Sequence, residues 1–193
     1  MPQKRNSVPV IKSFGQKVVA TLKAGGIGVI PTDTIYGLVG YALDKKIVER
    51  IYKIRRRNPK KPMIILIGEF SDLKKFKINL SYAAKKIVSK YWPDKVSIIL
   101  PCDRSQFKYL HRGTKMLALR LPKFKTLRIL LKKTGPLVAP SANIEGWPPA
   151  KTIKEAQKYF GNKIDFYVDA GRLSSKPSKL FKIEKRKIVK LRG

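Results

Sequence analysis

The sequence is poor in the side chains that carry most metal and nucleophilic chemistry. Its 193 residues include a single cysteine, Cys102, and a single histidine, His111. One cysteine excludes an internal disulfide and a cysteine-built metal site, and one histidine argues against a Ser-His-Asp triad or a histidine metal cluster. Any chemistry must therefore proceed largely without imidazole or thiolate, and we interpret both residues as structural.

The chain also lacks long apolar runs. No stretch approaches the roughly 20 apolar residues that a membrane-spanning helix needs. The N-terminal residues 1–6 are basic, but no apolar signal-peptide segment follows them. Hydrophobic residues make up 43% of the sequence, which is enough for a sizeable core. We therefore expect one cytoplasmic domain over residues 1–193, without membrane association.

Acidic residues are scarce. The chain has 12 Asp and Glu against 44 Lys and Arg, which gives a formal net charge of +32 at pH 7. Such an excess of one sign repels itself and favours anionic partners, of which RNA is the obvious one. A host-wide preference for lysine explains the same composition, because lysine is spread over the whole chain. Composition alone leaves both interpretations open.

Strand-like and helix-like segments alternate along the chain, which predicts an α/β fold. Apolar runs predict strands at residues 27–31, 63–67, 96–100, 117–121, 136–140, 166–168, 180–183 and 188–191. Apolar residues at helical spacing predict a helix near residues 126–133 and helices after the caps Ser13, Asp44, Ser81 and Thr152. Because the last strands are connected by loops rather than helices, we expect a mixed sheet.

Hydroxyl and carboxylate side chains follow the first of these long strands. Thr32, Asp33 and Thr34 come directly after the run at 27–31. Ligands of open α/β sheets bind beyond the carboxyl ends of strands, so these groups are placed to hold a small polar substrate. The competing interpretation is a capping turn, since Thr and Asp commonly bond nearby backbone groups.

A basic segment, Arg55-x-Arg57-x-x-x-Lys61, follows the helix that Asp44 begins. We refer to residues 55–61 as the hook. Arginine presents a planar fork that matches phosphate oxygens, and lysine adds a point charge. Pro59 and Pro62 stiffen the loop, which favours a phosphate site over a solvated basic helix end.

Small and polar residues also follow the predicted strand at 136–140. Ser141 and Asn143 alternate, so in an extended chain both side chains point to the same side. That arrangement presents a hydroxyl and an amide to one ligand. An ordinary turn rich in glycine and proline is the alternative.

Taken together, in this order and spacing, the three segments resemble those of the threonylcarbamoyl-AMP synthases, or YrdC-like proteins. The family pattern reads Pro-Thr-Asp/Glu-Thr-x-Tyr-Gly-Leu, Lys-x-Arg-x-x-x-Lys/Asn-Pro and Ser-x-Asn-x-Ser-Gly-x-Pro. Its counterparts here are residues 31–38, 55–62 and 141–148, and the resemblance covers about residues 14–193. Three residues depart from the pattern: Arg55 replaces Lys, Asn58 replaces a common Pro, and Glu145 replaces Ser.

The resemblance implies a single domain with an open, twisted mixed sheet, flanking helices and a basic concave ligand cleft. It implies that L-threonine, bicarbonate and ATP, accompanied by Mg²⁺, are joined into threonylcarbamoyl-AMP with release of pyrophosphate, and that the protein itself holds no metal. It assigns catalytic roles to Arg55, Arg57 and Lys61. It assigns ATP binding to Arg57, Lys61, Met116, Asn143, Lys151 and Arg192, and threonine binding to Thr34, Arg120, Ser141 and Ser178.

The same resemblance implies a separate transferase that receives the product and modifies tRNA, while direct contact with tRNA or other RNA stays open. A non-catalytic RNA-binding module is the alternative of a different class, and the net charge favours it. A third alternative is the related carbamoyl-adenylate domain of hydrogenase maturation. That domain usually occurs in a much longer chain with zinc-binding cysteine motifs, which this sequence lacks.

Overall fold

The computed structural model of the protein describes residues 8–184 and 187–193. Its strands are β1 (Val10–Ile11), β2 (Gly28–Pro31), β3 (Tyr36–Tyr41), β4 (Ile65–Leu66), β5 (Val96–Pro101), β6 (Met116–Arg120), β7 (Leu137–Val138), β8 (Phe166–Val168), β9 (Lys179–Glu184) and β10 (Lys187–Arg192). Its helices are α1 (Gln16–Lys23), α2 (Lys45–Arg55), α3 (Tyr82–Ser89), α4 (Lys108–His111), α5 (Lys125–Thr134) and α6 (Ile153–Phe160). Short 3-10 helices cover Phe70–Phe76 and Ser105–Phe107.

All of these strands belong to one sheet, in the order β1-β8-β2-β3-β7-β4-β6-β5-β9-β10. The pairs β1–β8, β2–β8, β4–β6 and β5–β9 are parallel, whereas β2–β3, β3–β7, β4–β7, β5–β6 and β9–β10 are antiparallel. The prediction of an α/β fold with a mixed sheet is therefore confirmed. Neighbours in the sheet are often distant in sequence, so the sheet brings remote segments to one edge.

Helices cover both faces of the sheet. Alternate residues of the central strands point to opposite faces, so each face contributes residues to a separate apolar core. Val29 and Leu38 belong to an apolar core formed with α2, α3 and α6. Ile30 and Val39 belong to a second core formed with α1 and α5. No helix within the described ranges 8–184 and 187–193 combines the length and apolarity that crossing a membrane requires.

Three of the four predicted helix caps are confirmed, and one is wrong. Asp44 accepts hydrogen bonds from the N–H groups of Lys46 and Ile47 at 2.7 and 3.3 Å, and Ser81 and Thr152 cap α3 and α6 in the same way. Ser13 does not cap α1, because that helix begins only at Gln16, after an extended Gly15 without a side-chain cap.

Strand β3 was not predicted, since its sequence Tyr-Gly-Leu-Val-Gly-Tyr contains two glycines, which weaken strand propensity. Tertiary packing explains Gly40. A Cβ atom at this position would lie 2.5 Å from Cγ2 of Ile47 in α2. The glycine therefore allows α2, which carries Arg55 at its end, to lie directly on the sheet.

Candidate active site

The three segments singled out in the sequence meet around a cavity of about 670 Å³. Its walls come from the turn after β2, the end of α2 with the hook, strand β6, the loop after β7, and the β9–β10 hairpin. Eight of the eleven predicted site residues line it: Thr34, Arg55, Arg57, Met116, Arg120, Ser141, Ser178 and Arg192. The other three, Lys61, Asn143 and Lys151, lie outside the lining.

The hydroxyl groups after β2 are oriented by their neighbours. The Thr32 Oγ1 donates to the carbonyl of Ile35 at 2.7 Å and lies 3.0 Å from the Thr34 Oγ1. Because a hydroxyl has one hydrogen, the Thr34 hydroxyl must donate to Thr32. The Thr34 Oγ1 also accepts a hydrogen bond from the Arg120 Nη1 at 3.1 Å. Thr34 is therefore fixed in one orientation at the cavity wall.

Arg120, at the end of β6, is 4% exposed and forms an ion pair with Asp33. Its Nη2 lies 3.2 Å from the Asp33 Oδ1, and its Nε has no hydrogen-bond partner. Burial lowers the pKa of Arg120, and Asp33 opposes that shift while the positive charge of Arg192 adds to it. Asp33 was not predicted to be a partner of Arg120, because 87 residues separate the two positions.

The side chain of Arg55 connects α2 to the loop after β7. It is 2% exposed, and its Nε donates to the carbonyl of Asn143 at 2.9 Å. Its Nη2 donates to the Asn143 Oδ1 at 2.8 Å and to the Ser141 Oγ at 3.2 Å, while its Nη1 has no partner. Burial is the main cause that lowers the pKa of Arg55 to about 10, and the neighbouring Arg57 adds to it.

Asn143 lies behind the cavity wall with its amide fully engaged. Its Nδ2 donates to the carbonyls of Ile144 and Trp147 at 2.8 and 2.7 Å. Its Oδ1 accepts from Arg55 and from the Ser141 hydroxyl, the latter at 2.6 Å. In this structure Asn143 orders the loop that presents Ser141, and its contact with ATP stays a prediction.

The hook folds back on itself and on Glu145. The Arg57 Nε and Nη2 donate to the carbonyls of Lys61 and Pro62 at 3.2 and 2.9 Å. The Glu145 carboxylate accepts from the Asn58 N–H and from the Lys61 Nζ, the latter at 3.2 Å, and lies 3.9 Å from the Arg57 Nη1. The Asn58 N–H, and then Lys61 and Arg57, hold the pKa of Glu145 below its ordinary value.

The β9–β10 hairpin contributes the remaining wall. The Ser178 hydroxyl lies 2.9 Å from that of Ser97 in β5, and the Arg192 Nη2 donates to the Ser178 carbonyl at 3.1 Å. Arg192 lies within β10 and therefore belongs to the sheet. Lys182 also lines the cavity and was missed. Its alternation with Leu180 along β9 was the available signal, because residues i and i+2 of a strand face the same side.

Met116 and Lys151 are placed differently. Met116 begins β6 and lines the cavity, as the prediction of a nearby ATP contact requires. Lys151 is exposed, and its described hydrogen bonds are made by its backbone. Its N–H donates to the Glu155 carboxylate and its carbonyl accepts from the Leu173 N–H, both at 2.8 Å. No group of three His, Cys, Asp or Glu side chains able to hold a metal occurs in the part of the chain that the structure describes.

The chain has relatives of known sequence that match it over most of its length. The profile of the Sua5/YciO/YrdC family, described as "Telomere recombination", matches residues 20–193. A putative threonylcarbamoyl-AMP synthase of Methanocaldococcus jannaschii is 33% identical over 182 residues, which cover 92% of this chain and 86% of that protein. A threonylcarbamoyl-AMP synthase of Marinobacter nauticus is 31% identical over 177 residues, which cover 89% of this chain and 93% of that protein.

Solved structures share the fold. P. abyssi Sua5 complexed with L-threonine has a TM-score of 0.85 at 26% identity, and the match covers 95% of this chain and 56% of that chain. E. coli YciO has a TM-score of 0.81 at 21% identity, covering 95% of this chain and 93% of that chain, which speaks for the fold alone. The resemblance drawn from the three segments is thus confirmed, and the chain belongs to the Sua5/YciO/YrdC family.

Proposed function

We propose that this chain is a threonylcarbamoyl-AMP synthase and that the cavity of about 670 Å³ is its active site and basic ligand cleft. The observation that carries the proposal is the meeting of two predicted residue sets in one cavity. Thr34, Arg120, Ser141 and Ser178 come from the threonine set, and Arg55, Arg57, Met116 and Arg192 come from the catalytic and ATP sets. The family match over residues 20–193 supports the treatment of the chain as one YrdC-like domain.

In the proposed reaction, the amine of L-threonine and bicarbonate form a carbamate with loss of water. A carbamate oxygen attacks the α-phosphorus of ATP, the bond from that phosphorus to the bridging oxygen breaks, and pyrophosphate leaves. The nucleophile belongs to the substrate, so the protein mainly positions the reactants and stabilises phosphate charge. This division of work suits a cavity whose described lining contains neither histidine nor cysteine.

Threonine is held on the side of the cavity formed by β6 and the turn after β2. Arg120 suits its carboxylate because a guanidinium binds a carboxylate through two parallel hydrogen bonds. Arg120 lines the cavity, and its pairing with Asp33 and Thr34 holds the guanidinium in place beside the substrate. Thr34, Ser141 and Ser178 supply hydroxyl groups around the same substrate, and the first two are already oriented by hydrogen bonds.

ATP is held on the hook side. Arg57 and Lys61 bind the triphosphate, and Arg55, which lines the cavity, supports them with its positive charge. Backbone near Met116 and the side chains of Asn143, Lys151 and Arg192 complete the predicted set. Mg²⁺ enters with ATP, because this ion usually binds substrate phosphates together with one or two carboxylates, and it offsets part of the triphosphate charge.

The product passes to a separate transferase that modifies tRNA. A synthase that acts on small molecules would in this way take part in RNA modification.

A pyrophosphate-release assay with ATP, L-threonine and bicarbonate tests the proposal. Release is expected only when all three are present. Release that never depends on threonine, together with tight RNA binding at physiological salt, would instead support the non-catalytic RNA-binding module.

The role of the hook is tested by Arg57→Ala. We expect the kcat/KM for ATP to fall about a hundredfold, because one donor to the transferred phosphate charge is lost. The matched control is Arg56→Ala, since Arg56 is the adjacent arginine but is exposed and lies outside the cavity lining. Equal activity of the two variants would reject the assignment of the hook to ATP.

A further inference from the structure

The Glu145 carboxylate pairs with Arg57 and Lys61, the two cations that the proposed function assigns to the triphosphate. Its Oε1 lies 3.2 Å from the Lys61 Nζ and 3.9 Å from the Arg57 Nη1, and its Oε2 accepts the backbone N–H of Asn58. Two cationic side chains and one backbone N–H thus converge on a single carboxylate. A phosphate group would be bound by the same kinds of donor.

Both the backbone and the side chain of Glu145 form contacts that position it. Its backbone N–H donates to the carbonyl of Arg55 at the end of α2, at 2.9 Å. In Arg57, the Nε and Nη2 already donate to the carbonyls of Lys61 and Pro62, so Nη1 is the nitrogen that faces Glu145. The carboxylate therefore lies at the position where the hook has donors available to bind an anion.

The contacts are nevertheless weak enough to be exchanged. The side chain of Lys61 is 61% exposed and that of Glu145 is 25% exposed. Ion pairs at such exposure contribute little and are screened by salt. A triphosphate carries several negative charges and brings more than one oxygen, so it can replace a single carboxylate at the same donors.

We propose that Glu145 is an internal competitor for the phosphate site. It binds the hook when no nucleotide is present, leaves when the triphosphate enters, and returns when pyrophosphate departs. Glu145 therefore sets the affinity for ATP and favours product release. This inference rests on the proposed function, because it takes Arg57 and Lys61 as the triphosphate site.

The inference is tested by Glu145→Gln, which keeps the size and removes the charge, and by Glu145→Ser, which carries the residue of the family pattern. Calorimetric titration with ATP, AMP and adenosine gives the affinities. We expect both variants to bind ATP about twofold to fivefold more tightly, because a competing ion pair worth up to about 1 kcal/mol is lost. The gain should be smaller for AMP and absent for adenosine, which has no phosphate.

Glu69→Gln is the matched control, since the Glu69 carboxylate is also paired with a lysine, Lys132, and its described side-chain partners lie outside the hook. Its affinity for ATP should equal that of the unmodified protein. The kinetic counterpart is a lower KM for ATP in Glu145→Gln, with slower release of pyrophosphate measured in single-turnover experiments.

Three outcomes would overturn the inference. Unchanged ATP affinity would show that Glu145 does not compete, and weaker binding would show that it holds the hook in its active shape. A raised Mg²⁺ requirement would assign the carboxylate to the metal. Calorimetric titration of Arg57→Ala with ATP distinguishes these three outcomes from a failure of the proposed function. If Arg57→Ala binds ATP normally, the phosphate site itself is wrong; if it binds weakly, only the role of Glu145 is at stake.

Discussion

At the scale of single residues, Arg55 replaces the lysine of the family pattern and forms structural hydrogen bonds in addition to carrying the charge. The family pattern has lysine here, and the positive charge is retained. The planar guanidinium, however, reaches two oxygens of Asn143 and the Ser141 hydroxyl from two different nitrogens. A lysine ammonium is one point of attachment and cannot reproduce this fork. We infer that Arg55 both orders the loop after β7 and supplies charge to the cavity.

Arg55→Lys is therefore not expected to be neutral. Loss of the fork should lower the free energy of unfolding by about 2 kcal/mol, because hydrogen bonds to charged groups contribute about that much. The KM for threonine should rise as Ser141 loses its support. Urea denaturation and steady-state kinetics measure both effects, with Arg56→Lys as the exposed control. A variant equal to the unmodified protein in both respects would show that lysine does the same work.

At the scale of elements, α2 is the helix that delivers the hook. Its N-terminus is capped by Asp44, its buried face carries Val48, Ile51 and Tyr52, and its C-terminus leads through a left-handed Arg56 into the hook. The Tyr52 hydroxyl donates to the carbonyl of Lys61 at 2.9 Å, so the core face of α2 also holds the far end of the hook. The geometry of the hook, the proposed phosphate site, thus depends on the whole helix.

Asp44→Ala should destabilise the protein by about 1 kcal/mol, because an N-cap that accepts two backbone hydrogen bonds is lost. Denaturant-induced unfolding followed by circular dichroism measures the change. Asp103→Ala is the control, since Asp103 is an exposed aspartate. If the two variants have the same stability, the cap contributes nothing to α2 in the folded protein.

The sequence patterns located most elements because apolar runs and cap residues are local signals. They missed the short elements β1 and α4, and they missed β3. The strand character of β3 comes from its place between β2 and β7 rather than from its own composition. They also placed the first helix cap at Ser13, two residues before the observed Gly15, because cap residue type alone does not fix where a helix begins.

In the site, the ordered motifs located eight residues of the cavity lining. They could not reveal the Asp33–Arg120 pair, the Ser97–Ser178 bond or the Arg55–Asn143 bonds. Each of these joins positions more than 80 residues apart, and nothing local to either partner indicates the other. Such contacts arise from the sheet order, which periodicity does not encode.

At the scale of the whole molecule, the dominant property is the net charge of +32. Every carboxylate offsets part of this excess, and three of them are favourably placed. Hydrogen bonds and nearby cations hold the pKa values of Glu69, Glu145 and Asp169 below their ordinary values. The Ser71 hydroxyl is the main cause for Glu69, and the Gly171 N–H is the main cause for Asp169.

Stability is therefore expected to fall in acid. A carboxyl group whose pKa is lower in the folded state contributes its full stabilisation above its ordinary pKa, and that contribution is lost as the pH falls through the folded value. The melting temperature should be nearly constant from about pH 7 to pH 5 and should decrease between about pH 4 and pH 3. Added salt should reduce the loss, because it screens the growing positive charge. Thermal melts at low and high salt test this, and a melting temperature that holds or rises down to pH 3 would contradict it.

The sheet order has a consequence for how the protein is made. The hook and the turn after β2 leave the ribosome early, but β9 and β10, which carry Lys182 and Arg192, are the last strands of this sequence. Strand β9 pairs with β5, and β8 inserts between β1 and β2. In a nascent chain, the places of β8 and β9 in the sheet therefore stay empty until those strands have been translated. A chain interrupted before β9 would present the hook without the wall that Lys182 and Arg192 add to the cavity.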